Sequence, residues 1–191
     1  MRLKSLPLLL LFASLAAAST PNQTAEANFA PGGSVTLDLR AGDYTIQAGA
    51  NDKIVIRYSA RDARAMDRVI TKIKTSGTKA DVYVNPPDNS NFSAVIELPA
   101  HSDIDLRLTA GDLKITGLEG NKQVSVRAGD IDVYLGRPED YGEVRAHATA
   151  GDITSDVFHG SESGVFRSFH HQGPGKYRLD VSVWAGDITL H

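Results

Sequence analysis

The tripeptide Ala-Gly-Asp occurs five times in this chain, at residues 41–43, 110–112, 128–130, 150–152 and 185–187. The flanks repeat with it. Apolar residues precede it at alternate positions: Val35, Leu37 and Leu39; Leu106 and Leu108; Val124 and Val126; Val144, Ala146 and Ala148; Val181 and Val183. They resume after it as Tyr44 and Ile46, Leu113 and Ile115, Ile131 and Val133, Ile153, and Ile188 and Leu190. Alternation with a period of two marks half-buried strands. The phase slips by one residue across each Gly-Asp, however, and in a straight strand that slip would turn half of the apolar residues to solvent. The chain must turn or bulge at every copy.

Two geometries meet that demand. Gly-Asp can be the corner of a β-solenoid, where glycine takes a positive φ that other residues resist and one rung stacks on the next. It can also be a two-residue type II′ hairpin loop, with both flanks facing one side. The small Ala before every Gly suits a crowded corner, and copies 18 and 22 residues apart suit stacked repeats. The expected fold is therefore all-β, a single-stranded β-solenoid with Ala-Gly-Asp corners; the alternative is an antiparallel hairpin meander or sandwich.

Elsewhere the pattern is less regular. Residues 54–58 read as a strand and 62–68 as a short helical turn by propensity. Residues 69–75 and 80–84 read as strands joined over Ser76-Gly77-Thr78. Pro86-Pro87-Asp88-Asn89 is a turn and no linker, and residues 93–98 form a strand ended by Pro99. The N-terminus has Arg2 and Lys4, an apolar run over residues 6–18 and small residues at Ala16-Ala17-Ala18. Thirteen helical residues reach about 20 Å, short of the ~30 Å hydrocarbon core. The expectation is a signal peptide over 1–18, cleaved near Ala18, with residues 19–28 as a flexible leader and 29–191 as one domain. The product would be exported, periplasmic or secreted, with no stable membrane insertion.

Composition narrows the chemistry. There is no cysteine, so disulfides, thiolate metal sites and cysteine nucleophiles are out. A net charge of −3 gives no basic footprint for nucleic acid.

The run from Val95-Ile96-Glu97-Leu98-Pro99 through residues 106–117, 124–136 and 144–157 resembles the bacterial DUF4097 family of "putative adhesin" domains. The closing Gly173-Pro174-Gly175-Lys176-Tyr177-Arg178-Leu179 and residues 183–190 are also similar to it. The resemblance covers residues 29–191 and is strongest from 93 onward. It implies a β-solenoid in an extracytoplasmic or envelope setting, and it brings no agreed catalytic residues.

Three candidate features follow. Stacking at about 4.8 Å would line up Asp43, Asp112, Asp130, Asp152 and Asp187, at about 0.9 kcal/mol of repulsion per neighbouring pair in water. Backbone N–H donors, Arg40 and Arg127, or a bound cation would have to offset it. The dense Gly/Asp nonapeptides of calcium-binding solenoids are absent, so Gly42, Gly111, Gly129, Gly151, Gly186 and these aspartates read as structural corners. The second feature is the interval 158–177, rich in Phe and His, where His159, Phe166, Arg167, Phe169, His170 and His171 suit a binding surface. Its alternative is a longer rung with Val165 and Phe169 packed inward. Zinc is disfavoured there, because adjacent histidines in a strand face opposite sides. The third is His147, expected to face outward. The repeated aspartates are equivalent, which argues against a catalytic pair, and no hydrolase, metalloprotease or nucleotide motif occurs. The expected function is an exported non-enzymatic, adhesin-like binding module for an envelope glycan or protein, with no metal, cofactor or catalytic residue. A self-assembling structural protein and a polysaccharide-active β-helix enzyme are the alternatives, and oligomeric state is left open.

Overall fold

The computed structural model describes residues 22–158, 160–162 and 165–191, the side chains of 160–162 excepted. In the N-terminal part the strands are β1 (Asn22–Asn28), β2 (Ser34–Leu39), β3 (Asp43–Gly49), β4 (Lys53–Ser59), β5 (Ile70–Ser76), β6 (Lys79–Asn85) and β7 (Ser93–Pro99). A single helical turn, α1 (Ala63–Met66), separates β4 from β5; Asp62 caps it by accepting from the Ala65 N–H. Next come β8 (Asp103–Leu108), β9 (Leu113–Thr116), β10 (Lys122–Ala128), β11 (Ile131–Tyr134), β12 (Tyr141–Ala150) and β13 (Ile153–Ser155). The chain closes with β14 (Gly160–Glu162), β15 (Val165–Gln172), β16 (Tyr177–Ala185) and β17 (Ile188–Leu190).

Every Ala-Gly-Asp joins two strands of different sheets. The strands before it (β2, β8, β10, β12, β16) lie in an eight-stranded sheet, and those after it (β3, β9, β11, β13, β17) in a nine-stranded one. The repeats pair in parallel within each sheet. A hairpin would have kept both arms in one sheet as antiparallel neighbours, so the hairpin alternative falls and the fold is a β-solenoid of stacked two-strand rungs. The sheets are not closed at their ends.

The core lies between the sheets. Register puts Val82, Leu37, Leu106, Val124, Val181 and Ala146 in one column of the eight-stranded sheet. Opposite it stand Ile96, Ile46, Ile115, Val133 and Leu190. All of these are buried, and like-on-like aliphatic stacking is the main source of stability in a chain without disulfides.

Rung order in space departs from chain order at both ends. Among the described residues six rungs stack as β6–β7, β2–β3, β8–β9, β10–β11, β16–β17 and β12–β13. The first repeat is thus covered by the later β6–β7, whose corner is the Pro86-Pro87-Asp88-Asn89 turn rather than Ala-Gly-Asp. The last repeat slips in beneath the one before it. Antiparallel strands close the stack: β5 beside β6 and β4 with β1 beside β7 at one end, β15 beside β12 and β14 beside β13 at the other. The reading of residues 19–28 as a flexible leader is corrected for Asn22–Asn28, which pair along the whole of β4. Backbone bonds hold that strand, and an edge position asks for no apolar alternation that a sequence would display.

Candidate functional site

The corners are built by direct contact between glycines. Gly129 has φ +130°, and a Cβ there would stand 2.1 Å from the Gly111 carbonyl oxygen; at Gly186, φ is +136° and the same distance separates it from the Gly129 carbonyl. No residue other than glycine fits such an approach. Four of the aspartates accept from the next rung: the Asp112 N–H donates to Asp43 Oδ1 at 3.3 Å, Asp130 to Asp112 at 3.2 Å, Asp187 to Asp130 at 2.9 Å, and Asp152 to Asp187 at 2.8 Å. The backbone donors are thus the offset that the row of like charges requires. Gly42, Gly111, Gly129, Gly151, Gly186 and the five aspartates stand together as one continuous corner edge. Among the described residues no group of three His, Asp or Glu side chains has the geometry to hold a metal ion.

The opposite corner has a shorter ladder. Asp103 Oδ1 accepts from the Asn121 N–H at 2.7 Å, and Asn121 Oδ1 accepts from the Arg178 N–H at 2.9 Å. Behind it Lys122 is 1% exposed. It donates to the Gly120 carbonyl and the Tyr141 hydroxyl, and burial pushes its pKa down from 10.5 to about 8.

The interval read as a binding segment divides between two faces. His159 lies outside the described residues. Arg167, Phe169 and His171 share the inward parity of Ala148, Ala146 and Val144. Phe169 packs against the core end, and the Phe158 ring stacks on His171 at 4.3 Å. Phe166 and His170 face outward with Thr149 and Arg145. Phe166 is 75% exposed and holds φ +54°. His170 lies 3.8 Å from Glu143, which also pairs with Arg145 and with Arg178. Val165, inward in the longer-rung alternative, is 62% exposed because it pairs with the exposed corner residue Ala150.

Register carries Phe166 into a longer row on the outer surface of the eight-stranded sheet. Across the strands that row reads Phe166, Thr149, Trp184, Arg127, Thr109 and Arg40, one residue before the corner alanine in every repeat. The neighbouring row holds His147, Ser182, Ser125, Arg107 and Asp38. Most of these residues line a shallow open depression of about 910 Å³. Trp184, the only tryptophan, is 62% exposed within it. Arg40 lies 3.9 Å from Asp38 and Arg107 3.5 Å from Asp105, whereas Arg127 has no ion-pair partner among the described residues. His147 faces outward here, as alternation requires. The sequence reading passed over Trp184 and Arg107. The signal was present, since Trp184 occupies the outward position between Val183 and Ala185 where the other copies carry Arg or Thr.

A second depression, on the outer surface of the nine-stranded sheet, has an ion pair in its wall. Arg57 bonds Glu97 at 2.5 Å, Gln47 adds a bond at 3.2 Å, and the Arg57 guanidinium holds the Glu97 carboxyl below the usual carboxylate range.

Comparison with known proteins bears on this arrangement. The model of the family described as Toastrack DUF4097 matches residues 35–191. No curated protein matches. Among solved structures, a "putative cell adhesion protein" from Clostridium sporogenes superposes with a TM-score of 0.60 at 15% identity, covering 90% of this chain and 99% of that one. That likeness shows the fold. A "putative adhesin" from Parabacteroides distasonis, 8% identical and covering 90% of this chain and 70% of its own, reaches a TM-score of only 0.27, too low to carry an argument. No helix among the described residues is long and apolar enough to cross a membrane.

Proposed function

Because the chain belongs to the Toastrack DUF4097 family, we propose that it is an exported, non-enzymatic binding module whose working surface is the outward row around Trp184. One observation carries this reading: a single tryptophan, 62% exposed, stands beside Arg127, which has no ion-pair partner among the described residues, and in line with the exposed Phe166. Tryptophan is enriched at interfaces because its indole joins a large apolar face to a polar N–H. Phe166 and His170 belong to the face, while Arg167, Phe169 and His171 support it from the inward side of β15. The corner glycines and aspartates set the spacing of the row and have a structural role. The Clostridium sporogenes protein of the same fold is named for cell adhesion, which supports a binding reading. Residues 1–18 serve as the signal peptide, cleaved near Ala18, and place the module in the periplasm or outside the cell.

The test is retention of the chain by fractionated envelope: insoluble peptidoglycan, outer-membrane vesicles and soluble polysaccharide. One fraction is expected to retain it, and Trp184→Ala is expected to release it. Retention that Trp184→Ala leaves unchanged, or none by any fraction, would remove this face as the working surface.

A further inference from the structure

We infer that the outward row binds an acidic polysaccharide, laid across the strands with its charges on Arg127 and Arg40; this rests on the reading of that row as the working surface. The charged group beside Trp184 is the Arg127 guanidinium, which only donates and calls for an anionic acceptor, while the Thr149, Ser182 and Ser125 hydroxyls around it can bond the hydroxyls of a sugar. Arg127 has no carboxylate partner among the described residues, and Arg40 and Arg107 hold theirs loosely, at 3.9 and 3.5 Å on the exposed surface. The indole supplies the flat apolar area on which a pyranose ring rests.

The surroundings select the shape of the ligand. The lane that holds Arg40, Arg107 and Arg127, with Asp38 as its one carboxylate among the described residues, is only two residues wide. On one side it is bounded by the aspartate edge at the corner. On the other, two residues back along the strands, stand Asp180, Asp105 and Asp81. A broad polyanion such as a duplex or an anionic bilayer would press its charges against both borders. A slim chain with well-separated carboxylates would not. Spacing points the same way. Arg127 and Arg40 stand two strands apart, about 10 Å at the usual strand separation, which is close to the length of a disaccharide. A polymer charged on alternate sugars places one carboxylate on each arginine, with a sugar on Trp184 in the next position.

Because Trp184 is the only tryptophan, its emission reports occupancy directly. The full chain is titrated with hyaluronate, alginate and polygalacturonate, with dextran as the neutral polymer and with vesicles of phosphatidylcholine containing phosphatidylglycerol. Saturable changes are expected with the acidic polysaccharides, strongest with hyaluronate and weakened by salt, and none with dextran. Arg127→Gln and Arg40→Gln, both surface changes, should each weaken binding about tenfold or more. Binding of dextran as tightly as of hyaluronate, binding of vesicles alone, or indifference to both substitutions would overturn the inference. So would silence with all three acidic polymers; if Trp184→Ala still abolished retention by an envelope fraction, the working surface would stand and only the ligand class would fall.

Discussion

Lys122 is the residue whose surroundings differ most from what its chemistry prefers. It opens β10 in phase with Val124 and Val126, so alternation alone points it inward, against the usual habit of lysine. Among the described residues the site answers with a carbonyl and a phenol but no carboxylate contact, and burial dominates its pKa. The unfolded chain keeps the proton up to about pH 10.5 and the folded chain only up to about 8. Unfolding therefore takes up a proton between those values, and stability rises with pH across that window. Burial pushes Tyr44 and Tyr141 up, which reverses the trend once tyrosines of the unfolded chain begin to ionise. Denaturant unfolding of the parent and of Lys122→Met, compared from pH 8 to pH 10, should show the parent gaining about 2 kcal/mol relative to the variant. A constant difference would mean that the ammonium is better solvated than its burial implies. Trp184 was equally legible, since parity put it outward. What parity could not supply was its company: the row from Phe166 to Arg40 exists only once the registers between strands are fixed.

At the level of the rung, the phase slip across Gly-Asp was enough to demand a corner, and the two sheets supply it. Closeness of the corners, rather than turn conformation alone, makes glycine obligatory. Gly129 and Gly136 separate the two effects. Both have positive φ, but a Cβ at Gly129 would meet backbone at 2.1 Å while one at Gly136 would meet nothing within 4 Å. Gly136→Ala should cost about 1–2 kcal/mol, the price of the left-handed conformation. Gly129→Ala adds a clash with backbone that cannot move without separating two rungs, and should cost roughly 3 kcal/mol or more. Equal losses in thermal or denaturant unfolding would show that the stack tolerates separation. Rung order was not legible for a related reason. All five repeats present similar aliphatic columns to their neighbours, so nothing local tells β17 to seek β11 rather than to follow β13. Only the intervals of 69 and 35 residues flagged that something else intervenes there.

For the whole molecule, the open ends of the solenoid are the liability, because an uncovered strand edge is a template for another chain. β1 covers β4, whose Ile54, Val55 and Ile56 are all buried in the intact protein. A chain beginning at Phe29 should sediment with a coefficient that climbs with concentration more steeply than that of the full chain. Superimposable concentration series would mean that β1 is dispensable as a cover. The polar sequence of β1 hid this role, since an edge strand is held by backbone bonds that leave no side-chain pattern. The placement of β16–β17 between β10–β11 and β12–β13 reaches furthest. A segment that follows both of its neighbours in the chain becomes the keystone of an arch whose flanking stones are already laid. A nascent chain that stops short of Tyr177 holds two unfinished walls facing an unfilled course, and it cannot close by zipping from one end. Loss of a C-terminal stretch would therefore open the middle of the building rather than shorten it.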